Sequence, residues 1–282
     1  MNEIHRFRRV VAFSLVELLV VMGIIALLIS ILLPSLNRAR AQSMSTQCKS
    51  NLRQLGIAWL NYAANNKGRV FIGSTVNQSI SQFWWAGSDG TVSPPVDHRE
   101  WGLLYPYMPD GGVRDCPAAA GLSSSLGLDD SAPLAYGSSA GVHNSKFPLG
   151  VLNSGNFTLI LTKVQIPTET VWWADSATLR PTNATDNGLT RMGYLGPPKP
   201  VVFPDVAACF HGRHLKRGNV LWMDGHVTDE PPNFSNTSVV LGSTQSQRTM
   251  MSLGDLMPPG VNYGDPLQNY YFWKDKRTQA DY

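Results

Sequence analysis

Between positions 211 and 226 stand four residues of types that hold metal ions: His211, His214, Asp224 and His226. Two histidines three residues apart, with a third histidine and a carboxylate nearby, make a donor set that zinc accepts. The surrounding stretch, FHGRHLKRGNVLWMDGHV (210–227), also has a purely architectural reading. Asn219 to Met223 reads as a strand, and Asp224-Gly225 has the composition of a two-residue type I′ hairpin turn with both central residues at positive φ. His226 to Thr228 then begins the return strand. On this reading Asp224 serves the turn, His226 pairs across the hairpin, and His214 caps or bonds nearby backbone. The architectural reading is preferred, and no metal is expected. Calcium is the alternative cofactor, because Asp224 is a hard oxygen ligand, although no dense Asp/Asn loop surrounds it.

Two other patterns touch on covalent chemistry. Gly137 to Gly141 (GSSAG) matches G-x-S-x-G around Ser139, and Asp175 or Asp205 and His211 or His214 follow in the order of a hydrolase triad. A nucleophile elbow joins a buried strand to a helix. Proline precedes this stretch and no helical pattern follows it, so the match is read as chance and no enzyme activity is expected. The three cysteines, Cys48, Cys116 and Cys209, are too few for a disulfide scaffold. In an oxidising compartment Cys48 and Cys116 are the favoured pair, with Cys209 the competitor for either partner. Such a bridge contributes roughly 2–4 kcal/mol.

A fourth chemical oddity lies near the N-terminus. From Phe13 to Leu33 the chain is almost unbroken hydrocarbon, yet it contains Glu17. A charge at the centre of a bilayer costs roughly 2.5–3.5 kcal/mol on insertion scales. As a helix this run is roughly 31 Å long, enough to cross a membrane. Arg6, Arg8 and Arg9 lie before it against the single acid Glu3, which predicts a cytoplasmic N-terminus and a translocated remainder. No small-residue cleavage site follows Pro34, so the span is expected to be retained rather than removed as a secretory signal. Glu17 either snorkels to the headgroups or finds a cation. A cut between Ala12 and Phe13 would create one, an α-amine that in a bundle of such helices meets the carboxylate of its neighbour.

The elements that must position these groups follow from periodicity. After Pro34, where a bend is expected, Ala41, Met44, Cys48, Leu52, Leu55, Trp59 and Tyr62 recur at spacings of three and four. They form one apolar helix face, which ends at Asn65-Asn66-Lys67-Gly68. Beyond Gly68 the chain reads as short strands and turns: 69–73, 82–87, 156–164, 170–175 and 219–227. Loops are expected around 87–97, 109–135 and 180–205. Trp84-Trp85 and Trp172-Trp173 should each place one indole on either face of a strand, one in the core and one exposed. The formal charge of +3 carries no basic stripe, which excludes a nucleic-acid partner.

A short basic leader, a small residue, Phe13-Ser-Leu-Val-Glu17 and a further apolar run together resemble the N-terminal signal of type IV prepilins and type II secretion pseudopilins. The resemblance implies that prepilin peptidase, an inner-membrane aspartyl enzyme, cleaves after Ala12 and methylates Phe13. It also implies that Glu17 is the assembly glutamate and Pro34 the helix-kinking proline. Ala12 departs from the family's usual glycine. His214 and Asp224-Gly225, with nine residues between the histidine and the aspartate, resemble the H-x9-DG signature of a class of prepilin-like proteins. CKSNLRQLG (48–56), CP (116–117) and IPTETVWWADS (166–176) match it further.

The expectation is therefore an α+β protein with a leader at 1–12, a membrane-spanning half-helix at 13–34 and an amphipathic half at 35–66. A β-rich extracytoplasmic head follows at 67–282, with its signature hairpin at 214–228. The expected role is that of a pseudopilin-like subunit on the inner membrane, partnered by prepilin peptidase/N-methyltransferase and other pilin-like subunits. The alternative is a non-polymerising single-pass anchor whose head binds carbohydrate or envelope.

Overall fold

The computed structural model describes residues 14–71, 74–77, 80–83, 87–89, 96–108, 113–124, 135–139, 158–179, 188–191, 193–196, 198, 209–235 and 245–272. The chain divides into two compact units, Met1–Ala41 and Gln42–Tyr282. A single helix, α1 (Leu15–Asn65), contributes to both. In the first unit the described residues are helical from Leu15 onward. The helix is continuous through Pro34, where the missing N–H leaves the Ser30 carbonyl without its intrahelical donor.

In the second unit the helix is amphipathic, as its spacing requires. Cys48, Leu52, Leu55, Trp59 and Tyr62 are buried, joined by Ser45, Asn51, Gly56, Ala58 and Ala63, while Met44 is half-buried; Ala41, the last residue of the first unit, is half-buried as well. Lys67 (φ 57°) and Gly68 (φ 74°) turn the chain left-handed. Gly68 N–H then donates to Ala63 O at 2.8 Å, closing the helix.

The described strands are β1 (Arg69–Phe71), β2 (Ser74–Asn77), β3 (Ile80–Phe83), β4 (Gly87–Asp89), β5 (Val96–His98), β6 (Ser123–Ser124), β7 (Tyr136–Ser139) and β8 (Thr158–Ile160). They continue with β9 (Val171–Leu179), β10 (Leu189–Arg191), β11 (Tyr194–Leu195), β12 (Cys209–His211), β13 (Gly218–Trp222), β14 (Val227–Glu230) and β15 (Leu253–Gly254). β2 to β5 form an antiparallel meander, so the loop expected at 87–97 contains strand. The strand expected at 156–164 ends at Ile160 and gives way to a 3₁₀ turn at Leu161–Lys163.

β9 is the hub of the main sheet. All nine of its residues are buried. β7 and β10 pair with it antiparallel, and so do β13 and β12; β14 extends β13. The amphipathic half of α1 packs on this sheet in a core that includes Trp59, Leu55, Trp172, Trp173 and Leu221. A second core of Val171, Ala174, Phe210, Val220, Trp222, Leu256 and Phe272 lies among the strands and the C-terminal segment.

Both indoles of Trp172-Trp173 are buried, each 1% exposed, which corrects the expectation of one exposed ring. The cause is a register shift. Leu221 pairs with Trp173, but Trp222 pairs with Val171, so Trp172 is the extra residue of a β-bulge. A bulge suspends the strict alternation of sides. Both rings then reach Trp59, with centroids 6.1 Å and 5.4 Å away. Helix and sheet approach closely at Gly56, where a Cβ would stand 3.1 Å from Leu221 Cδ1.

Candidate functional site

Two places concentrate the unusual chemistry. The first is the start of α1. Ser14 Oγ accepts Val16 N–H at 3.2 Å, and Glu17 Oε2 accepts Ser14 N–H at 2.9 Å. This is a capping box, written in the sequence as Ser14-x-x-Glu17, in which the serine hydroxyl takes the N2 amide in place of the N3 amide. The signal is local, carried by two residues three positions apart. Sixteen large apolar side chains from Leu15 to Leu36 follow, all between 43% and 78% exposed. They surround the helix, leaving no polar face. This is the one helix among the described residues that is long and apolar enough to cross a membrane. Ala12 and Phe13 lie outside the described residues.

The second place is a buried polar cluster between the amphipathic half of α1 and the sheet. Asp175 on β9 is fully buried. Its Oδ2 accepts the backbone N–H of Asn219 on β13 at 2.7 Å and lies 3.4 Å from His214 Nε2. The same imidazole nitrogen lies 3.4 Å from Cys116 Sγ. Arg213 Nε stands 4.0 Å from Asp175 Oδ1, and its Nη2 donates to Ser176 O at 2.5 Å. Around the rim Ser45 Oγ donates to Asn219 Oδ1 at 3.4 Å, and Asn51 Nδ2 donates to Tyr136 OH at 3.1 Å and to Arg114 O at 2.9 Å. Asp115 accepts Cys116 N–H at 2.8 Å, Ala135 N–H at 3.0 Å and Arg191 at 2.8 Å, fixing the segment that carries Cys116.

Cys48 of the helix is joined to Cys116 by a disulfide, with Cα atoms 5.4 Å apart, inside the usual span for such a bond. Cys209 is buried elsewhere, with Ala177, Leu179 and Leu253.

Burial governs the protonation of this cluster. It pushes Asp175 up to about 6, against the opposing pull of Arg213 and the Asn219 N–H. Burial, and then Arg213 and Lys49, bring His214 down to about 4. Tyr136 is raised by burial and by the charge of Asp175. At neutral pH the pocket therefore holds a carboxylate, a neutral imidazole and a guanidinium. Although His214 and Asp175 are within ion-pair distance, Arg213 carries the positive charge. Asp175 Oδ1, Arg213 Nε and Nη1, and His214 Nδ1 are buried with no hydrogen-bond partner among the described residues.

The four residues considered together for zinc do not converge. His211 Nε2 contacts Met251 O at 3.1 Å, and His214 points to Cys116 and Asp175. Asp224 and His226 sit at the hairpin tip, where Asp224 Oδ1 meets His226 Nδ1 at 2.5 Å and accepts His226 N–H at 3.2 Å. His226 also stacks on Trp222, with centroids 5.8 Å apart and planes 12° apart.

The turn itself differs from the type I′ expectation. Gly225 is left-handed (φ 92°) and Asp224 is not. Gly225 N–H donates to Trp222 O at 2.9 Å and Trp222 N–H to His226 O at 3.0 Å. This is a three-residue loop, a type I turn closed by a left-handed glycine. The strand accordingly stops at Trp222, and its return begins at Val227, not His226. In this loop only the glycine needs positive φ.

Ser139 ends β7 with its hydroxyl buried and without a hydrogen-bond partner among the described residues. The polar contacts of His214 are to Cys116 and Asp175, and no described hydrogen bond links it to Ser139. Asp205 and Trp84-Trp85 lie outside the described residues. The residues that the sequence reading missed are Asp175 as the centre of a cluster, Arg213, Asn219 and Asn51. Comparison with protein-family models, with curated proteins and with solved structures finds no match for this chain.

Proposed function

We propose that this protein is a pseudopilin-like subunit that polymerises through its N-terminal helix after prepilin peptidase/N-methyltransferase removes residues 1–12 and methylates Phe13. The observation that carries this reading is the apolar cylinder from Leu15 to Leu36 with Glu17 at its first turn. Such a surface needs lipid or other apolar helices around it. Before assembly it sits in the inner membrane, with the N-terminus cytoplasmic and the head extracytoplasmic. In the filament, sister helices cover it. Glu17 Oε2 is engaged by Ser14 N–H, and in the assembled filament Oε1 would face the amine of a neighbouring subunit. Assembly of this kind calls on no catalytic residue and no bound cofactor. Trp172 and Trp173 are both buried, so neither presents an aromatic face on which a sugar could stack.

The capping box makes the test sharper than a simple truncation. Glu17→Gln keeps an acceptor for Ser14 N–H and removes the charge, whereas Glu17→Ala removes both. Filament or subunit cross-linking is the readout, in cells carrying the peptidase and assembly platform. Both variants should insert and be cleaved to Phe13, and neither should assemble. Assembly of Glu17→Gln at wild-type level would reduce Glu17 to a helix cap and refute the charge-pairing reading.

A further inference from the structure

The disulfide Cys48–Cys116 does not explain its own surroundings. A disulfide is apolar and needs neither a buried carboxylate nor an imidazole beside it. Yet His214 Nε2 lies 3.4 Å from Cys116 Sγ and 3.4 Å from Asp175 Oδ2, and all three side chains are buried. The two sulfurs and His214 Nε2 lie within 4.8 Å of one another. A tetrahedral zinc ion with ordinary bond lengths separates a sulfur from a nitrogen by about 3.6 Å, a nitrogen from an oxygen by about 3.4 Å and two sulfurs by about 3.8 Å. The imidazole-to-sulfur and imidazole-to-carboxylate edges already have nearly these lengths. The sulfurs must part, as they do when the disulfide becomes two thiols, and the Asp175 carboxylate, which lies outside the trio of mutually close ligand atoms, must approach them.

We propose that in its dithiol form this protein binds one Zn²⁺ through Cys48, Cys116, His214 and Asp175. Zinc takes the place of the covalent bond as the staple between helix and sheet. Charge balance favours it. Two thiolates and the carboxylate outweigh the ion by one negative charge, and Arg213, whose Nε stands 4.0 Å from Asp175 and has no hydrogen-bond partner among the described residues, supplies the compensating positive charge. Loading is a ligand exchange in which Zn²⁺ binds two thiolates and an imidazole lone pair while two thiol protons leave to solvent; no oxidant is required. The inference does not depend on polymerisation, because every ligand lies in the second unit.

The full chain in detergent provides the test. Reduction by a phosphine, which takes up the oxygen of water and leaves two thiols, prepares the dithiol form without air. Zn²⁺ uptake is counted by elemental analysis after desalting, and Co²⁺ serves as the optical probe. Reduced wild type should take up one ion per chain and show the intense visible bands of tetrahedral cobalt with a sulfur-to-metal charge-transfer band. Binding should weaken at least about tenfold in the oxidised protein and in the His214→Ala and Asp175→Asn variants, be retained in His214→Cys, and be unchanged in Cys209→Ala. A pale six-coordinate cobalt spectrum from reduced wild type, or equal uptake by the oxidised chain, would overturn the assignment. The wild-type spectrum decides even where a variant fails to fold.

Discussion

The disulfide closes a loop of sequence separation 68 between the middle of α1 and the segment ahead of the first 3₁₀ turn of the Cys116 region. Confining the unfolded chain over a loop of that length stabilises the native state by about 4 kcal/mol in the chain-entropy description. Both cysteines are buried, at 0% and 2% exposure. The appropriate perturbation is therefore Cys48→Ala with Cys116→Ala, which leaves no buried hydroxyl behind. Denaturant unfolding of the full chain in detergent with a chelator present should give a loss of about 4 kcal/mol, equivalent to roughly 8–16 °C in Tm for a unit of this size. Tryptophan fluorescence is the natural signal, because Trp59 stands 5.4 Å from Trp173 in the core that the bridge ties together. Phosphine reduction of the wild type under the same metal-free conditions should reproduce that loss. A loss below about 1 kcal/mol from both treatments would refute the reasoning, since helix and sheet would then be held as firmly without the bridge.

Three other outcomes follow from the same coordinates. Trp59→Ala should destabilise the head by about 3–5 kcal/mol, read as a lower denaturant midpoint, because its ring is 1% exposed and touches Trp172 and Trp173. Gly225→Ala should cost about 1–2 kcal/mol by the same measurement. Its Cβ would meet Leu60 Cδ1 at an ordinary 3.6 Å, so the left-handed backbone at φ 92° is the source of the penalty. In the oxidised protein His211 is brought down to about 3 and His214 to about 4, in each case chiefly by burial, while Asp175 is pushed up to about 6. Between pH 4 and 6 the unfolded chain binds two histidine protons that the native state refuses, and the native state binds one on Asp175. Stability should therefore fall as pH falls, by about 1.4 kcal/mol per unit. His211→Asn should flatten that slope in unfolding curves taken at successive pH values, and a slope unchanged by the substitution would contradict the burial argument.

The helix and its buried stripe were legible because a 3.6-residue period survives any tertiary context, and the cysteine at position 48 falls on that stripe. The hairpin was legible from Asp224-Gly225, although not its type, since loop length depends on how many residues the ladder leaves unpaired. Ser14-x-x-Glu17 is a local signal present in the sequence, but its reading as a helix start competes with the cost of a charge beside an apolar run. The orientation of Trp172 and Trp173 was not readable, because a bulge is a relation between two strands and only the partner strand reveals it. The polar cluster was hidden for the same reason. Asp175 looks like the polar end of a strand until Asn219 and His214 arrive from another hairpin and Cys116 from a distant loop.

Gly56 has an effect beyond permitting close contact. Moving the helix one residue along its groove would bring Ile57, now 59% exposed, to the spot where even a single carbon would stand 3.1 Å from Leu221. The missing side chain thus works as a notch that indexes the rod against the sheet. It fixes where the amphipathic half of α1 lies on the sheet, and hence how far Cys48 lies from its partner.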